Sequence, residues 1–279
     1  MAFANTTNMN ISAPSATESP QPQSTPARQT VYLNGSIYVG QLENGRRQGE
    51  GTLADAEGSM IYNGTWKDNL PHGTGTSFHP GGQSYRGEWV SGKPEGKGVF
   101  RFSKKVYYAG QWKNGRFNGE GLLCFAGGSP IYSGDWRNNV PHGRGKLDFP
   151  NGMTYEGNWQ NGLPEGKGIL RLFPGEYTGH WQKGALHGKG MLTFPDGTRY
   201  AGEWCRNRIH GIGTIIFEDG EQYAGQWEHG KRNGHGECIF PNGEKYTGEW
   251  RYDQQHGKGM VTFADGTTCE GKWENGFPV

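Results

Sequence analysis

The chain has 279 residues, of which 50 are glycine, about 18% against a usual share near 7%, while apolar residues reach only 32%. With 28 basic and 27 acidic side chains the net charge is +1, which excludes a global field toward nucleic acid. The low apolar share argues against a conventional packed core, 10 Trp, 13 Tyr and 13 Phe argue against disorder, and glycine does not recur every third residue as collagen requires.

Residues 1–30 differ in kind from the rest: 19 of them are Asn, Ser, Thr, Pro or Gln, with Glu18 and Arg28 the only charges. They read as a disordered tail, with Ser19-Pro20 and Thr25-Pro26 as candidate proline-directed phosphorylation sites. The start shows no signal or myristoylation pattern, the end has no prenylation cysteine, and no apolar run is long enough to span a bilayer. Cys124, Cys205, Cys238 and Cys269 lie far apart, without metal-site spacing, which suggests reduced thiols in the cytosol.

From residue 31 a repeat takes over. The ten tryptophans, Trp66 to Trp273, are separated by 22 to 24 residues. Four residues before each of the first nine stands a tyrosine, with a glycine midway, so each unit begins Tyr-x-Gly-x-Trp. Seven residues after the tryptophan comes Gly-x-Gly, as at Gly73-Thr74-Gly75 and Gly188-Lys189-Gly190. The residues that follow alternate, with Gly188, Gly190, Leu192 and Phe194 on one face, which is strand periodicity. Turn signals such as Pro150-Asn151-Gly152 close several units.

Each unit is therefore predicted to be a β-hairpin. The expected register sets Trp opposite the first glycine of Gly-x-Gly within the hairpin, Gly opposite the second, and Tyr opposite an apolar residue, for example Tyr177 opposite Leu192. The indole is then expected to lie across glycine, with Glu88 beside Lys97, Asp135 beside Arg144 and Glu249 beside Lys258 as ion pairs on the other face. Ten hairpins from Tyr38, a closing half-unit from Cys269 and an opening half-strand give about 22 strands about 4.8 Å apart. The expected fold is all-β, an elongated single-layer antiparallel rod over residues 31–279.

This unit resembles the MORN (membrane occupation and recognition nexus) repeat over residues 31–279. The resemblance implies an elongated β array and a scaffold role in ciliary and flagellar axonemes, including radial spoke heads, or at membrane–cytoskeleton junctions. The sequence departs from the repeat pattern at Leu42, Cys269, Ser77 and His79.

No nucleotide loop is expected, since no strand, glycine loop and helix follow in order. His72, His142, His187, His210 and His256 share the slot before Gly-x-Gly, but units about 10 Å apart cannot share one ion, so they read as polar residues at loop ends. No catalytic set, cofactor or metal is expected. Two binding surfaces are. A one-layer sheet leaves Tyr85, Trp89, Tyr108, Trp112, Tyr132, Trp136, Tyr155 and Trp159 on one face as a groove for a partner helix or peptide, or for a second copy of the chain. The basic run Lys93, Lys97, Arg101, Lys104, Lys105, Lys113 and Arg116, opposed only by Glu95, suits acidic lipid head groups or an acidic protein tail. Residues 38–199 carry 19 basic and 14 acidic side chains, whereas 200–279 carry 8 and 12. Exposed terminal strands would permit a homodimer.

Overall fold

The computed structural model describes residues 28–33 and 35–279. Residues 1–27 of the expected tail lie outside the described residues, and Gln29 and Thr30 already belong to the first strand. Twenty-three strands, β1 (Gln29–Leu33) to β23 (Phe277–Pro278), form one sheet in which each pairs antiparallel with its neighbours in sequence. Strand makes up 72% of the structure, and the described residues contain no helix. The all-β repeat rod is observed, with β23 as the strand beyond the expected number.

Local chemistry accounts for the hairpins. The two strands of a unit are joined by two residues that both have positive φ, as at Asn114-Gly115 (51° and 75°) and Asn161-Gly162 (51° and 82°). That is the type I′ turn, whose twist matches the strands and which favours Asn-Gly. Most successive units are joined by longer turns, and in five of these an Asx side chain accepts a backbone N–H two residues on, as Asp196 does from Thr198 at 2.8 Å.

Part of the expected register holds. Between β14 (Gly175–Gln182) and β15 (Ala185–Thr193), Tyr177 faces Leu192 and Gly179 faces Gly190. Beyond that point the register shifts, and Trp181 faces Leu186 instead of Gly188. The first glycine of each Gly-x-Gly sits in a β-bulge in the left-handed region, φ 66° at Gly188. It is the Trp of the following unit that lies opposite this glycine, as Trp204 lies opposite Gly188.

The ring that covers glycine is the tyrosine. A Cβ built on Gly168 or Gly190 would overlap the ring of Tyr155 or Tyr177, and one built on Gly157 would meet the Cα of Gly168 at 2.5 Å. Facing glycines thus let the phenol lie flat over two strands. Its hydroxyl donates to the carbonyl three residues on in all ten units, Tyr177 to His180 at 3.0 Å for example. The indole reaches back instead: Trp159 Nε1 donates to the Gly145 carbonyl of the preceding unit at 3.0 Å.

The anticipated ion pairs also differ. Glu88 lies opposite Glu95, and its carboxylate accepts the backbone N–H of Lys97 at 2.9 Å. Asp135 accepts from the Arg144 N–H at 2.9 Å and Glu249 from the Lys258 N–H at 3.2 Å. The bulge turns this N–H out of the ladder, so the acid before Trp caps backbone and forms no charge pair. Gln111 and Gln226 accept the corresponding N–H groups without any charge.

Candidate functional site

The core is a one-dimensional stack. From Tyr62 on, each tyrosine of the repeat meets the edge of its own tryptophan and of the next, as Tyr132 does with Trp136 (5.0 Å, 83°) and Trp159 (5.3 Å, 89°), while Tyr38 meets only Trp66. Such edge-to-face pairs add about 0.5–1.5 kcal/mol each beyond the area they bury. The side chain opposite Trp closes the stack, and Phe117 in that slot lies on Tyr108 at 3.8 Å, 12° from parallel. In two units Arg47 and Arg232 fill the slot and lie over Trp66 and Trp250 at 4.2 and 4.6 Å. Burial pushes the phenols of Tyr62, Tyr177 and Tyr223 up to about 12.

This stack corrects the first expected surface. Tyr85, Trp89, Tyr108, Trp112, Tyr132, Trp136, Tyr155 and Trp159 are all buried, none more than 7% exposed. The rings cover one another along the array, so no partner is needed to shield them and the expected groove is closed. What stays exposed on that side is a row at the hairpin ends, including Phe102, Phe125, Phe149 and Phe217.

The basic run is divided. β7 (Lys93–Arg101) is nine residues long, so its two ends lie about 27 Å apart. Arg101 stands at one end against Tyr107 (5.7 Å), beside the turn that holds Lys104 and Lys105, and Lys97 is in mid-strand opposite Gln111. At the other end Lys93 joins Lys113 and Arg116 around a hollow of about 830 Å³, together with Arg137 and His142. Arg137 was not among the expected residues. Its signal was its slot: it follows Trp136 as Lys113 follows Trp112. Asp135 also lines the hollow and accepts the Arg144 backbone N–H at 2.9 Å, and Glu95 accepts the Asn114 backbone N–H at 2.8 Å. Among the described residues none of these four cations has an ion-pair partner. The arrangement attracts anions. Nothing in it activates a nucleophile, and among the described residues no three His, Cys, Asp or Glu side chains gather as metal ligands.

A model of the MORN repeat matches ten consecutive segments: 38–60, 62–83, 85–105, 108–129, 132–154, 155–175, 177–199, 200–222, 223–245 and 246–268. The chain belongs to the MORN repeat family. The segments coincide with the ten Tyr-to-turn hairpins, so each MORN repeat here is one hairpin with its closing turn. A comparison with curated proteins gives no match. Among solved structures, the wild-type TCP10 domain of Danio rerio CPAP is similar to the MORN array at 12% identity, over 88% of this chain and 100% of that one, with a TM-score of 0.36. The SAS-4 (dCPAP) TCP domain of Drosophila melanogaster, in complex with a proline-rich motif of Ana2, is 13% identical over 64% and 90%, with a TM-score of 0.33. A streptogramin B lyase reaches 11% over 90% and 85%, with a TM-score of 0.16. Likenesses of that strength establish no common function. MORN repeats are interaction modules for proteins and membranes, and no helix among the described residues is long and apolar enough to cross a bilayer.

Proposed function

We propose that this MORN array is a non-catalytic scaffold rod of a cytoskeletal assembly, in particular of a ciliary or flagellar axoneme of radial-spoke type. One observation carries the reading: in ten successive units the Tyr, Trp and paired glycines are spent on contacts within the chain, Tyr85 to Trp159 being buried without a partner. Such a lattice supports stiffness and length, with partners held on its exposed flanks. The test is fractionation. The tagged full chain, expressed in ciliated cells, should stay with the axoneme after detergent extraction. Release with the soluble proteins would overturn the reading.

A second reading rests on the convergence of Lys93, Lys113, Arg116 and Arg137 around one hollow: tethering to an anionic membrane surface, phosphoinositides included. Each basic side chain close to such a surface contributes about 1 kcal/mol. Flotation with phosphatidylserine and phosphoinositide vesicles should bring the protein up and leave a Lys113→Glu, Arg116→Glu, Arg137→Glu variant behind. Equal flotation of both would refute the tether.

A further inference from the structure

A second groove lies on the face opposite the rings. It crosses six strands, from β10 (Pro130–Arg137) to β15, and encloses about 890 Å³. Facing glycines such as Gly157 and Gly168 form its floor, because the rings lie on their other side. One wall is a single row built by the middle residue of Gly-x-Gly and the residue before Trp: Arg144 beside Asn158, then Lys167 beside His180, then Lys189. Lys146, Glu156 and Ile169 belong to the opposite wall.

The charges are not equivalent. Lys146 is held by Asp148 at 2.9 Å, Glu156 shares Arg171 (3.6 Å) with Glu176 (3.2 Å), and Glu203 stands opposite Lys189 in the next strand without an ion pair to it. Arg144, Lys167 and Lys189 are exposed and have no ion-pair partner among the described residues. In the other units this slot holds Glu50, Thr74, Lys97, Glu120, Ile212, His235 and Lys258, so only here do three cations stand in succession.

Their spacing selects a ligand. Adjacent units are two strands apart, which sets successive cations about 10 Å from each other. An extended strand repeats a face about every 6.7 Å and an α-helix turns every 5.4 Å. A polyproline II segment turns every three residues at 3.1 Å each, about 9.3 Å, close to one unit. We propose that this groove holds an acidic partner segment in polyproline II conformation, lying along the array with one carboxylate per unit at every third residue. Ile169 and the aliphatic stems of the lysines supply the apolar contact for the residues between. The proposal rests on the reading of the chain as an interaction rod and names the partner of one of its flanks.

The test uses the full chain and a fluorescent nine-residue peptide of three Glu-Pro-Pro triplets. Binding is read by anisotropy at low and at moderate salt. The wild type should bind it at least tenfold more tightly than a peptide of equal composition with adjacent glutamates. Arg144→Glu, Lys167→Glu and Lys189→Glu together should remove that binding, leave circular dichroism unchanged, and transfer preference to the Lys-Pro-Pro counterpart. Equal binding of the two glutamate peptides, or of wild type and triple variant to the triplet peptide, overturns the proposal. So does binding of phosphatidylserine vesicles that is lost in the triple variant while the triplet peptide binds neither protein. The axonemal fractionation of the wild type separates the two readings. Its retention, together with absent binding of the triplet peptide by the wild type, removes only the groove, whereas its release removes the scaffold reading itself.

Discussion

The side-chain oxygen of Asn139 accepts the backbone N–H of Phe117 at 2.8 Å, while the Asn139 N–H donates to the Phe117 carbonyl at 3.1 Å. These residues belong to successive repeats, one in the second position of a type I′ turn and the other in the slot opposite Trp. The reciprocal pair recurs at Arg47 and Asn69, Leu186 and Asn207, and Arg232 and Asp253. Where the slot holds Pro71, Pro94, Pro141 or Pro164, the turn residue is Gly92, Gly115, Gly162 or Gly184, and only its N–H-to-carbonyl bond remains. Proline has no N–H to offer, so a side-chain acceptor in the turn would be idle. Eight of the ten junctions are thus matched through one backbone donor, the exceptions being Ile209 with Gly230 and Gln255 with Gly276, where only the N–H-to-carbonyl bond forms although the slot residue has an N–H.

That matching predicts a coupling. Leu186→Pro leaves Asn207 without its donor, and Asn207→Gly leaves the Leu186 N–H without its acceptor; each should cost about 1–2 kcal/mol. The double variant restores the Pro and Gly combination of the adjacent repeat. A double-mutant cycle in urea should therefore show about 1 kcal/mol of favourable coupling. Simple additivity would reject the argument.

Glycines of different station should respond differently to alanine. Gly145→Ala drives a methyl into the Tyr132 ring and is expected to destabilise by about 3 kcal/mol. Gly128→Ala meets open space but sits at φ 85°, a left-handed conformation costing about 1–2 kcal/mol. Gly127→Ala, with open space and no positive φ, should stay within about 0.5 kcal/mol of wild type. Thermal melts of the three variants give the ranking, and a different order would contradict the placement of the tyrosine rings.

Alkaline pH should unfold the array. In the unfolded chain the phenols ionise near 10, whereas Tyr62, Tyr177 and Tyr223 are raised to about 12 in the fold. Between those values the folded state binds more protons, so stability is complete below pH 10 and falls as pH rises toward 12. Phenolate absorbance should appear together with the loss of the native tryptophan spectrum. Gradual phenolate formation in a chain that keeps its native fluorescence would count against buried phenols.

The four thiols should separate by reactivity. Cys124 and Cys238 are buried, and Cys238 is pushed up to about 12, first by burial and then by the Glu221 carboxylate. Cys269 is exposed and Cys205 half-buried. Titration of the native protein with a chromogenic disulfide should modify Cys269 first and Cys205 more slowly, and reach the other two only after denaturant is added. Rapid labelling at Cys238 in the native state would show that this end of the array opens.

The sequence by itself determined the unit and its direction. Period-2 alternation after Gly-x-Gly, the tryptophan spacing and the turn residues define ten hairpins in a meander, because these signals are local and repeat in register. Tertiary structure alone decided what the rings face. The bulge at the first glycine shifts each strand by residues that the linear pattern does not mark, so Trp pairs with the preceding repeat and Tyr, not Trp, covers the glycines. It also decided exposure. Stacking between neighbours buries Tyr85 to Trp159, and the length of one strand divides Lys93 from Arg101 while bringing Arg137 beside Lys113. Those outcomes depend on contacts between units, and a pattern read within one unit cannot contain them.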